Sequence, residues 1–250
     1  VEDGEAGFLG EGKRFFLHYD FPGYATNEPG GGGRPGRREI GHGRLAEKAV
    51  EAVQPENWPY AVRITCEVTS SNGSSSMASV VAACLACQDA GVPISAQVAG
   101  VSVGVVERAG EYKLLTDITG TEDHYGGMDF KVAGTKDEVT AVQLDVKYPS
   151  GVPVDVLCEA IGRARDGRRQ ILEEMGKVKT RPAIKESAPQ VQTVRYDPAR
   201  KKDLVGPGGA VMKQLEEAYG ISLDLSQEGQ CLIYGAQAKA ARDAINEPVG

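Results

Sequence analysis

The sequence predicts an α+β protein with a large first domain and a small second one. Apolar residues alternate over 61–69, as in a half-buried strand, whereas over 38–53 they recur at helical spacing. A polar stretch at 177–190 holds two prolines and shows neither pattern. We therefore expect a core domain over residues 1–176, a linker over 177–190 and a second domain over 191–250.

Each element of the first domain follows from its local pattern. Strand-like runs lie at 15–21, 61–69, 97–106, 112–116, 129–133 and 139–147. Helical spacing predicts helices at 38–53, 76–90 and 153–175. Gly91 and Pro93 end the second of these helices, and Pro153 begins the third.

The second domain has the predicted order βααββα around a glycine-rich turn. Its strands are expected at 191–196, 221–225 and 231–234, and its later helices at 210–219 and 236–245. The turn between the first two helices is Gly206-Pro207-Gly208-Gly209. This arrangement resembles the KH module, whose GXXG loop clamps the backbone of single-stranded nucleic acid. Pro207 and Gly208 replace the basic residue that such loops often carry, so charge would come from Arg200, Lys201, Lys202 and Lys213. Alternatively, the fold serves only as a packing element.

Composition limits the class of protein. With 41% hydrophobic and 25% charged residues, the chain has the composition of a soluble globular protein, and no apolar run is long enough to span a membrane. The net charge of −7 opposes nonspecific nucleic-acid binding, although arginines and lysines cluster locally. The first residue is valine, which indicates a removed targeting segment or a fragment.

The five cysteines are an odd number scattered through apolar runs, which favours reduced thiols and a reducing compartment. Cys84 and Cys87 have the spacing of half a redox or zinc site. Because they lie in an apolar helical run without a second pair, we expect two buried hydrophobic residues instead.

A serine triplet, Ser74, Ser75 and Ser76, follows Gly73 at the predicted start of a helix. The unpaired N–H groups at a helix start and the helix dipole favour a bound phosphate. An ordinary serine N-cap is the alternative explanation.

Two carboxylates and a lysine form the second group. Asp129 and Lys131 alternate on one strand face, and Asp123 precedes that strand and can fold back towards it. Two carboxylates with a phosphate oxygen suit Mg²⁺ or Mn²⁺, and Lys131 would neutralise charge. The alternative is a surface ion pair. Asp117 and Asp145 are candidates for further metal ligands or for strand-end caps.

Arg37, Arg38 and His42 form the third group, in which Arg38 and His42 are one helical turn apart. Arginine binds phosphates through two parallel hydrogen bonds. His42 could instead cap a helix or lie in the core. With only three histidines in the chain, a histidine-based zinc site is not expected.

Several motifs together resemble the polyribonucleotide nucleotidyltransferase (polynucleotide phosphorylase) family. They are Arg37–Gly43 with Leu45–Glu47, Ser71–Ser79, Asp89–Pro93, Leu115–Ile118 and Met128–Thr135. The match resembles the second of the family's two RNase PH-like core domains, followed by its KH domain, from about Phe15 to the end. The implied fold is therefore an RNase PH-like core, with a mixed sheet packed against helices, and a small KH domain.

The resemblance implies a phosphorolytic 3′-to-5′ exoribonuclease that releases nucleoside diphosphates from RNA and can also extend RNA. It implies that Ser75 and Ser76, with Ser74, hold phosphate and that Asp123 and Asp129 bind Mg²⁺ or Mn²⁺ beside Lys131. Arg37, Arg38 and His42 would contact phosphate or the RNA end. The implied partners are single-stranded RNA, inorganic phosphate or nucleoside diphosphates, a first RNase PH-like core and a trimeric ring.

Three departures accompany this resemblance. The family's first core, helical domain and S1 domain are not in this sequence, Gly127 replaces a usual aspartate, and Gly30–Gly33 are unusually glycine-rich. The alternative function is a catalytically silent RNA-binding or structural subunit of a larger assembly. The resemblance favours a mitochondrion over a chloroplast or a bacterial cytoplasm.

Overall fold

A computed structural model describes residues 13–27, 35–56, 58–181, 183–185, 188, 190–226 and 229–246. These residues form two compact units. The larger unit comprises Phe15–Glu56 and Val62–Ala183, and the smaller one comprises the described residues within Val1–Arg14, Asn57–Ala61 and Ile184–Gly250. The predicted glycine-rich loop at Gly30–Gly33 lies outside the described residues.

The larger unit begins with a strand–helix–strand crossover. Strand β1 (Phe15–Asp20) leads through helix α1 (Arg37–Glu51) to β2 (Val62–Glu67), and the two strands pair in parallel. A parallel pair needs a crossover connection of this length, which α1 supplies. Phe15, Leu17 and Tyr19 are buried on the side of β1 that faces α1.

A four-stranded antiparallel sheet follows, in the order β4-β3-β5-β6. Its strands are β3 (Ala99–Arg108), β4 (Glu111–Thr116), β5 (Met128–Gly134) and β6 (Val139–Val146). The prediction of one mixed sheet is therefore wrong for the described residues, because parallel and antiparallel pairs fall in separate sheets. Short connections join β3 to β4 and β5 to β6, the two consecutive pairs that are also neighbours in the sheet, which suits antiparallel pairing.

Helices cover both faces of this sheet. Helix α4 (Val154–Met175) packs on Val101, Val103 and Val105 of β3 and the apolar residues of β5. Helix α2 (Ser75–Asp89) approaches the other face so closely that a side chain at Gly100 would collide with Met77. Residues directly opposite each other in a ladder share a face. Ser102 pairs with Lys131 and Gly104 with Asp129, so these polar residues lie on the α2 face.

The smaller unit contains a three-stranded antiparallel sheet in the order β7-β9-β8. Its elements are β7 (Val191–Arg195), α5 (Lys201–Val205), α6 (Ala210–Tyr219), β8 (Ser222–Leu225), β9 (Gln230–Tyr234) and α7 (Ala238–Asn246). Apolar side chains of the sheet, with Ala238 and Ala241 of α7, form its core. Val191 N donates to Tyr60 Oη at 3.0 Å, which ties the segment around residue 60 to this unit.

All five cysteines are free thiols, and Cys84 and Cys87 are buried as expected. Burial raises the pKa of the Cys84 and Cys87 thiols, which keeps them in the unreactive protonated form. Within the described part of the chain, no helix is long and apolar enough to cross a membrane.

Candidate active site

A cleft of about 1230 Å³ in the larger unit brings together residues that are far apart in the sequence. Its lining includes all nine predicted site residues of this unit: Arg37, Arg38, His42, Ser74, Ser75, Ser76, Asp123, Asp129 and Lys131. They come from the starts of α1 and α2, from strand β5 and from a short helix, α3 (Gly120–Tyr125). The three predicted groups therefore form one site.

The serine triplet begins with a turn of unusual backbone conformation. Gly73 has a φ of +99°, and a side chain there would collide with the backbone of Ile118. Ser74 has a φ of +52°, in the left-handed region that non-glycine residues rarely occupy. Its hydroxyl shares a hydrogen bond with Ser102 Oγ rather than capping α2. The explanation of Ser74 as an ordinary side-chain N-cap is therefore wrong.

Ser75 and Ser76 differ from Ser74 and from each other. Ser75 Oγ and the Tyr19 hydroxyl oxygen lie 2.7 Å apart and share a hydrogen bond. Ser76 is fully buried, and its Oγ has no hydrogen-bond partner. A buried hydroxyl without a partner costs free energy unless a ligand group pairs with it.

Asp129 and Lys131 form a buried ion pair, and only 8% and 7% of their side chains are exposed. Lys131 Nζ donates to Asp129 Oδ2, while Asp129 Oδ1 is buried without a partner. The alternative of a surface ion pair is wrong for Asp129 and Lys131, because α2 covers this face of the sheet. A carboxylate oxygen that is buried and unpaired is an acceptor prepared for a cation or a donor.

Asp123 lies on α3, a helix that was not predicted from the sequence. Thr119 and Glu122 form its capping box: Thr119 Oγ1 accepts from Glu122 N at 3.3 Å, and Thr119 N donates to Glu122 Oε2 at 2.8 Å. The pattern Thr-x-x-Glu is visible in the sequence and could have found the helix. This helix directs Asp123 into the cleft.

Two cations hold the Asp123 carboxylate. Lys147 Nζ lies 2.6 Å from Asp123 Oδ1, and Arg38 Nη2 lies 3.5 Å from Asp123 Oδ2. Burial alone would raise the pKa of Asp123, but Lys147, Lys131 and Arg38 together hold it below its usual value. Asp123 is therefore a carboxylate at neutral pH.

The arginine–histidine group lies on the first turns of α1. Arg37, Arg38 and His42 all line the cleft, and the Arg38 side chain is 78% exposed. Burial, and then the charges of Lys131 and Arg38, lower the pKa of His42 to about 4. His42 is therefore neutral at physiological pH and offers a hydrogen bond or a ring surface instead of a charge.

Lys147 is a site residue that sequence reasoning missed. Gln143 and Asp145 of β6, and Lys147 directly after this strand, line the cleft at alternate positions, with the apolar residues Val142 and Leu144 on the opposite side of β6. Their polar alternation beside the Asp129 strand was a usable signal. Asp145 lines the cleft and pairs with Asp129 across the ladder, whereas Asp117 forms a turn with a φ of +59°.

The departure at Gly127 has a local structural cause. A side chain at Gly127 would overlap the ring of Tyr148, whose hydroxyl accepts from Glu107 N at 2.9 Å. The space that a side chain at this position would occupy is thus filled by the Tyr148 ring.

The donor set fits a divalent cation of the magnesium type, although the described residues contain no cluster of three or more His, Cys, Asp or Glu side chains. Mg²⁺ is usually bound through one or two carboxylates together with water and substrate phosphate. The unpaired Asp129 Oδ1 is such a ligand, and Asp123 lines the same cleft.

The predicted GXXG loop lies in the smaller unit, between α5 and α6. Gly206, Gly208 and Gly209 have φ values of +69°, +60° and +79°, and Pro207 begins a 3₁₀ turn. A groove of about 1120 Å³ beside the loop is lined by Lys201, Lys202 and apolar residues such as Val211. Lys201 Nζ lies 3.4 Å from the carbonyl oxygens of Leu225 and Ser226, which holds it against the sheet.

Comparison with known proteins finds similarity in sequence and, separately, in fold. Residues 2–93 match the 3′ exoribonuclease family, domain 1, of the RNase PH type. In fold, the chain is similar to rice Rrp46, with a TM-score of 0.56, 14% sequence identity, and 67% of this chain and 75% of that chain covered. The predicted RNase PH-like α+β fold is confirmed.

The sequence is similar to bacterial proteins named polyribonucleotide nucleotidyltransferase. It is 46% identical to the Magnetococcus marinus protein over 93% of this chain and 34% of that protein. Identity is 45% to the Koribacter versatilis protein (96% and 30% covered) and 47% to the Rubrobacter xylanophilus protein (94% and 34% covered). The chain thus spans about a third of the length of these relatives. Over nearly its whole length, this chain is therefore similar to about a third of each of these polyribonucleotide nucleotidyltransferases.

Proposed function

We propose that this chain is the catalytic part of a phosphorolytic 3′-to-5′ exoribonuclease. In this reaction inorganic phosphate attacks the terminal phosphodiester of an RNA strand and releases a nucleoside diphosphate. The reverse reaction adds a nucleotide and releases phosphate. The proposal is supported by the names of the bacterial relatives and by the residues that line the cleft.

One observation carries the proposal: two buried polar atoms without partners, Ser76 Oγ and Asp129 Oδ1, belong to one cleft with four cationic side chains. The first is a donor for an anion, and the second is an acceptor for a cation. The cations are Arg37, Arg38, Lys131 and Lys147. This combination suits a site that binds phosphate groups and a metal ion together.

The chemistry needs no protein nucleophile, because the attacking group is phosphate itself. The start of α2, with Ser75 and Ser76, would hold this phosphate through hydroxyls and backbone N–H groups. Ser74 would act indirectly, since its hydroxyl is held by Ser102. Lys131 would offset the negative charge that gathers as the two phosphates approach. Positioning and charge neutralisation are sufficient for this class of reaction.

The RNA end would lie along the first turns of α1. Arg37 and Arg38 would contact backbone phosphates, and the exposed Arg38 would reorient from Asp123 to RNA. His42, which is neutral, would contact the terminal nucleotide by a hydrogen bond or through its ring.

Mg²⁺ or Mn²⁺ is the proposed cofactor, held by Asp129 through its unpaired oxygen and by Asp123. When bound, such an ion stabilises negative charge on the phosphate groups. Lys147 and Arg38 keep Asp123 ionised and available.

The second unit is proposed to be a KH module that binds single-stranded RNA. The support is its βααββα order, the three loop glycines with positive φ and the lysine-lined groove beside them. Glycine lets a nucleic-acid backbone approach closely because it has no side chain. A role in packing alone is the competing proposal.

The complete protein is proposed to include a second RNase PH-like core and to assemble as a trimeric ring. A mitochondrial location is retained as a prediction, alongside a chloroplast or a bacterial cytoplasm. The three bacterial relatives make the last of these a natural first place to look.

The decisive experiment uses single-stranded RNA, Mg²⁺ and the complete protein, with and without inorganic phosphate. The expected products are nucleoside diphosphates that appear only with phosphate. Release of nucleoside monophosphates would indicate hydrolysis instead, and RNA binding without any release would favour the silent-subunit alternative.

A further inference from the structure

Tyr19 is a buried tyrosine whose ring belongs to the core and whose hydroxyl belongs to the cleft. It is the last inward residue of β1 and is 4% exposed. Its hydroxyl oxygen lies 2.7 Å from Ser75 Oγ, 56 residues away in the sequence. No sequence motif predicts this contact, because Tyr19 continues the apolar alternation of β1.

The direction of this hydrogen bond follows from the chemistry of the anion. Phosphate oxygens accept hydrogen bonds, so Ser75 must donate its single hydroxyl proton to bind phosphate. Ser75 Oγ must then accept from Tyr19, whose hydroxyl is the donor. Burial raises the pKa of Tyr19, so the phenol keeps its proton. Hydrogen bonds in such a chain polarise and strengthen one another.

The Tyr19 ring is held in place from three sides. It stacks on Phe21 with ring centroids 6.2 Å apart, and it meets the edge of His42 at 5.5 Å. At Gly43, α1 comes so close that an added Cβ would lie 3.2 Å from Tyr19 Cβ. The hydroxyl is thus fixed in direction, and the same ring touches a member of the arginine–histidine group.

We propose that Tyr19 is a positioning residue of the phosphate site, which donates to Ser75 Oγ and so directs the Ser75 proton towards the bound anion. This inference rests on the proposed function of Ser75 as a phosphate ligand. Tyr19 itself touches neither phosphate nor RNA in this scheme. Its effect is therefore expected on phosphate use and not on RNA binding.

The test is a double-mutant cycle in the complete protein with Tyr19→Phe, Ser75→Ala and both together. Tyr19→Phe keeps the ring and removes one hydrogen bond, so we expect the KM for phosphate to rise about 3- to 10-fold with little change in RNA affinity. In the Ser75→Ala background, Tyr19→Phe should add almost nothing, because its route to phosphate is gone.

Tyr148→Phe is the matched control. It also removes one tyrosine hydroxyl, here on a partly buried ring and accepting from Glu107 N, yet it lies beside Gly127 and should leave the KM for phosphate unchanged. Equal KM values for wild type and Tyr19→Phe would overturn the inference, as would full additivity in the cycle. Neither a lower pH nor a higher RNA concentration is expected to restore the phosphate KM of Tyr19→Phe.

A second readout separates this inference from the proposed function. Inorganic phosphate should raise the midpoint of thermal unfolding of the wild type, and the rise should be smaller for Tyr19→Phe than for Tyr148→Phe. If phosphate raises the unfolding midpoint in a way that depends on Tyr19, but the protein does not phosphorolyse RNA, the positioning role of Tyr19 is supported and the exoribonuclease function is refuted. If the protein phosphorolyses RNA and its use of phosphate does not depend on Tyr19, only the positioning role of Tyr19 is refuted.

Discussion

The cleft and the glycine loop are built in opposite ways. The cleft collects side chains from Tyr19 to Lys147, and its central pair, Asp129 and Lys131, is almost completely buried. The loop consists of four consecutive residues, Gly206 to Gly209, and depends on partly or fully exposed lysines nearby. Buried charges interact strongly because water does not screen them, whereas exposed charges are weakened by solvent and salt. The difference predicts large effects of substitutions in the cleft and small ones near the loop.

The largest effect is expected for Asp129→Asn. The amide keeps the shape of the carboxylate but removes the charge that would hold the metal and balance Lys131. Phosphorolysis by the complete protein should fall by about 10²–10³ or more, with RNA binding retained. Asp137→Asn, in the exposed β5–β6 turn, is the control and should be near wild type. Comparable activity of the two variants would mean that the buried cleft has no catalytic role.

The next effect concerns the start of α2. Replacing Ser75 and Ser76 together with alanine should weaken phosphate use about 10- to 100-fold in both reaction directions, because two donors to a charged group are lost. Saturation curves for phosphate and for nucleoside diphosphate measure this directly. Ser95→Ala, on the loop after α2, serves as the control. Unchanged saturation in the double variant would remove phosphate binding from this helix start.

His42 should make folding stability depend on pH. Its pKa is 6.5 in ordinary surroundings and about 4 in the fold, so between these values the unfolded chain binds more protons. The free energy of unfolding should therefore decrease as the pH falls from about 6.5 towards 4, and His42→Gln should flatten this decrease. Denaturant titrations at several pH values test it, with His18→Gln, exposed on β1, as the control. Identical slopes for wild type and His42→Gln would contradict the burial of His42.

The Lys147→Gln variant tests whether ionised Asp123 is needed for catalysis. Lys147 is a main reason that the pKa of Asp123 stays low despite burial, so its loss should raise that pKa. The acidic limb of the pH–activity profile should then move to higher pH, because Asp123 must be ionised to hold the metal. Lys113→Gln, on the exposed side of β4, should leave the profile in place. A profile that does not move would separate Asp123 from catalysis.

The smallest effect is expected near the glycine loop. Replacing Lys201, Lys202 and Lys213 with glutamine should weaken the binding of single-stranded RNA and flatten its salt dependence by about 0.7 in slope per lost phosphate contact. Fluorescence titrations at several salt concentrations measure both, and Lys239→Gln on α7 is the control. Coincident slopes would support the packing role. If the loop variants lost RNA affinity by as large a factor as Asp129→Asn loses activity, the expected difference between the two regions would be contradicted.

Elements were predicted well from the sequence where the signal lay within a few neighbouring residues. Helix α6 was predicted at 210–219 and is found at Ala210–Tyr219, because Gly209 and Gly220 mark its two ends. Helix α3 was missed although its capping box is visible, because six residues are too few for a periodic pattern. Only family resemblance assigned the cleft residues to one site, since spacing alone left surface pairs and caps as better explanations.

By itself, the sequence determined the helices and most strands, the glycine turns and the chemical types of the site residues. These depend on propensities and periodicities within a few neighbouring residues. Only the tertiary structure decided that Ser74 is held by Ser102, that Tyr19 meets Ser75 and that Lys147 holds Asp123. It also decided which polar atoms, Ser76 Oγ and Asp129 Oδ1, are buried without partners. The physical reason is that burial and pairing arise where α1, α2 and the sheet pack together, and packing joins residues whose separation along the chain carries no information about their contact.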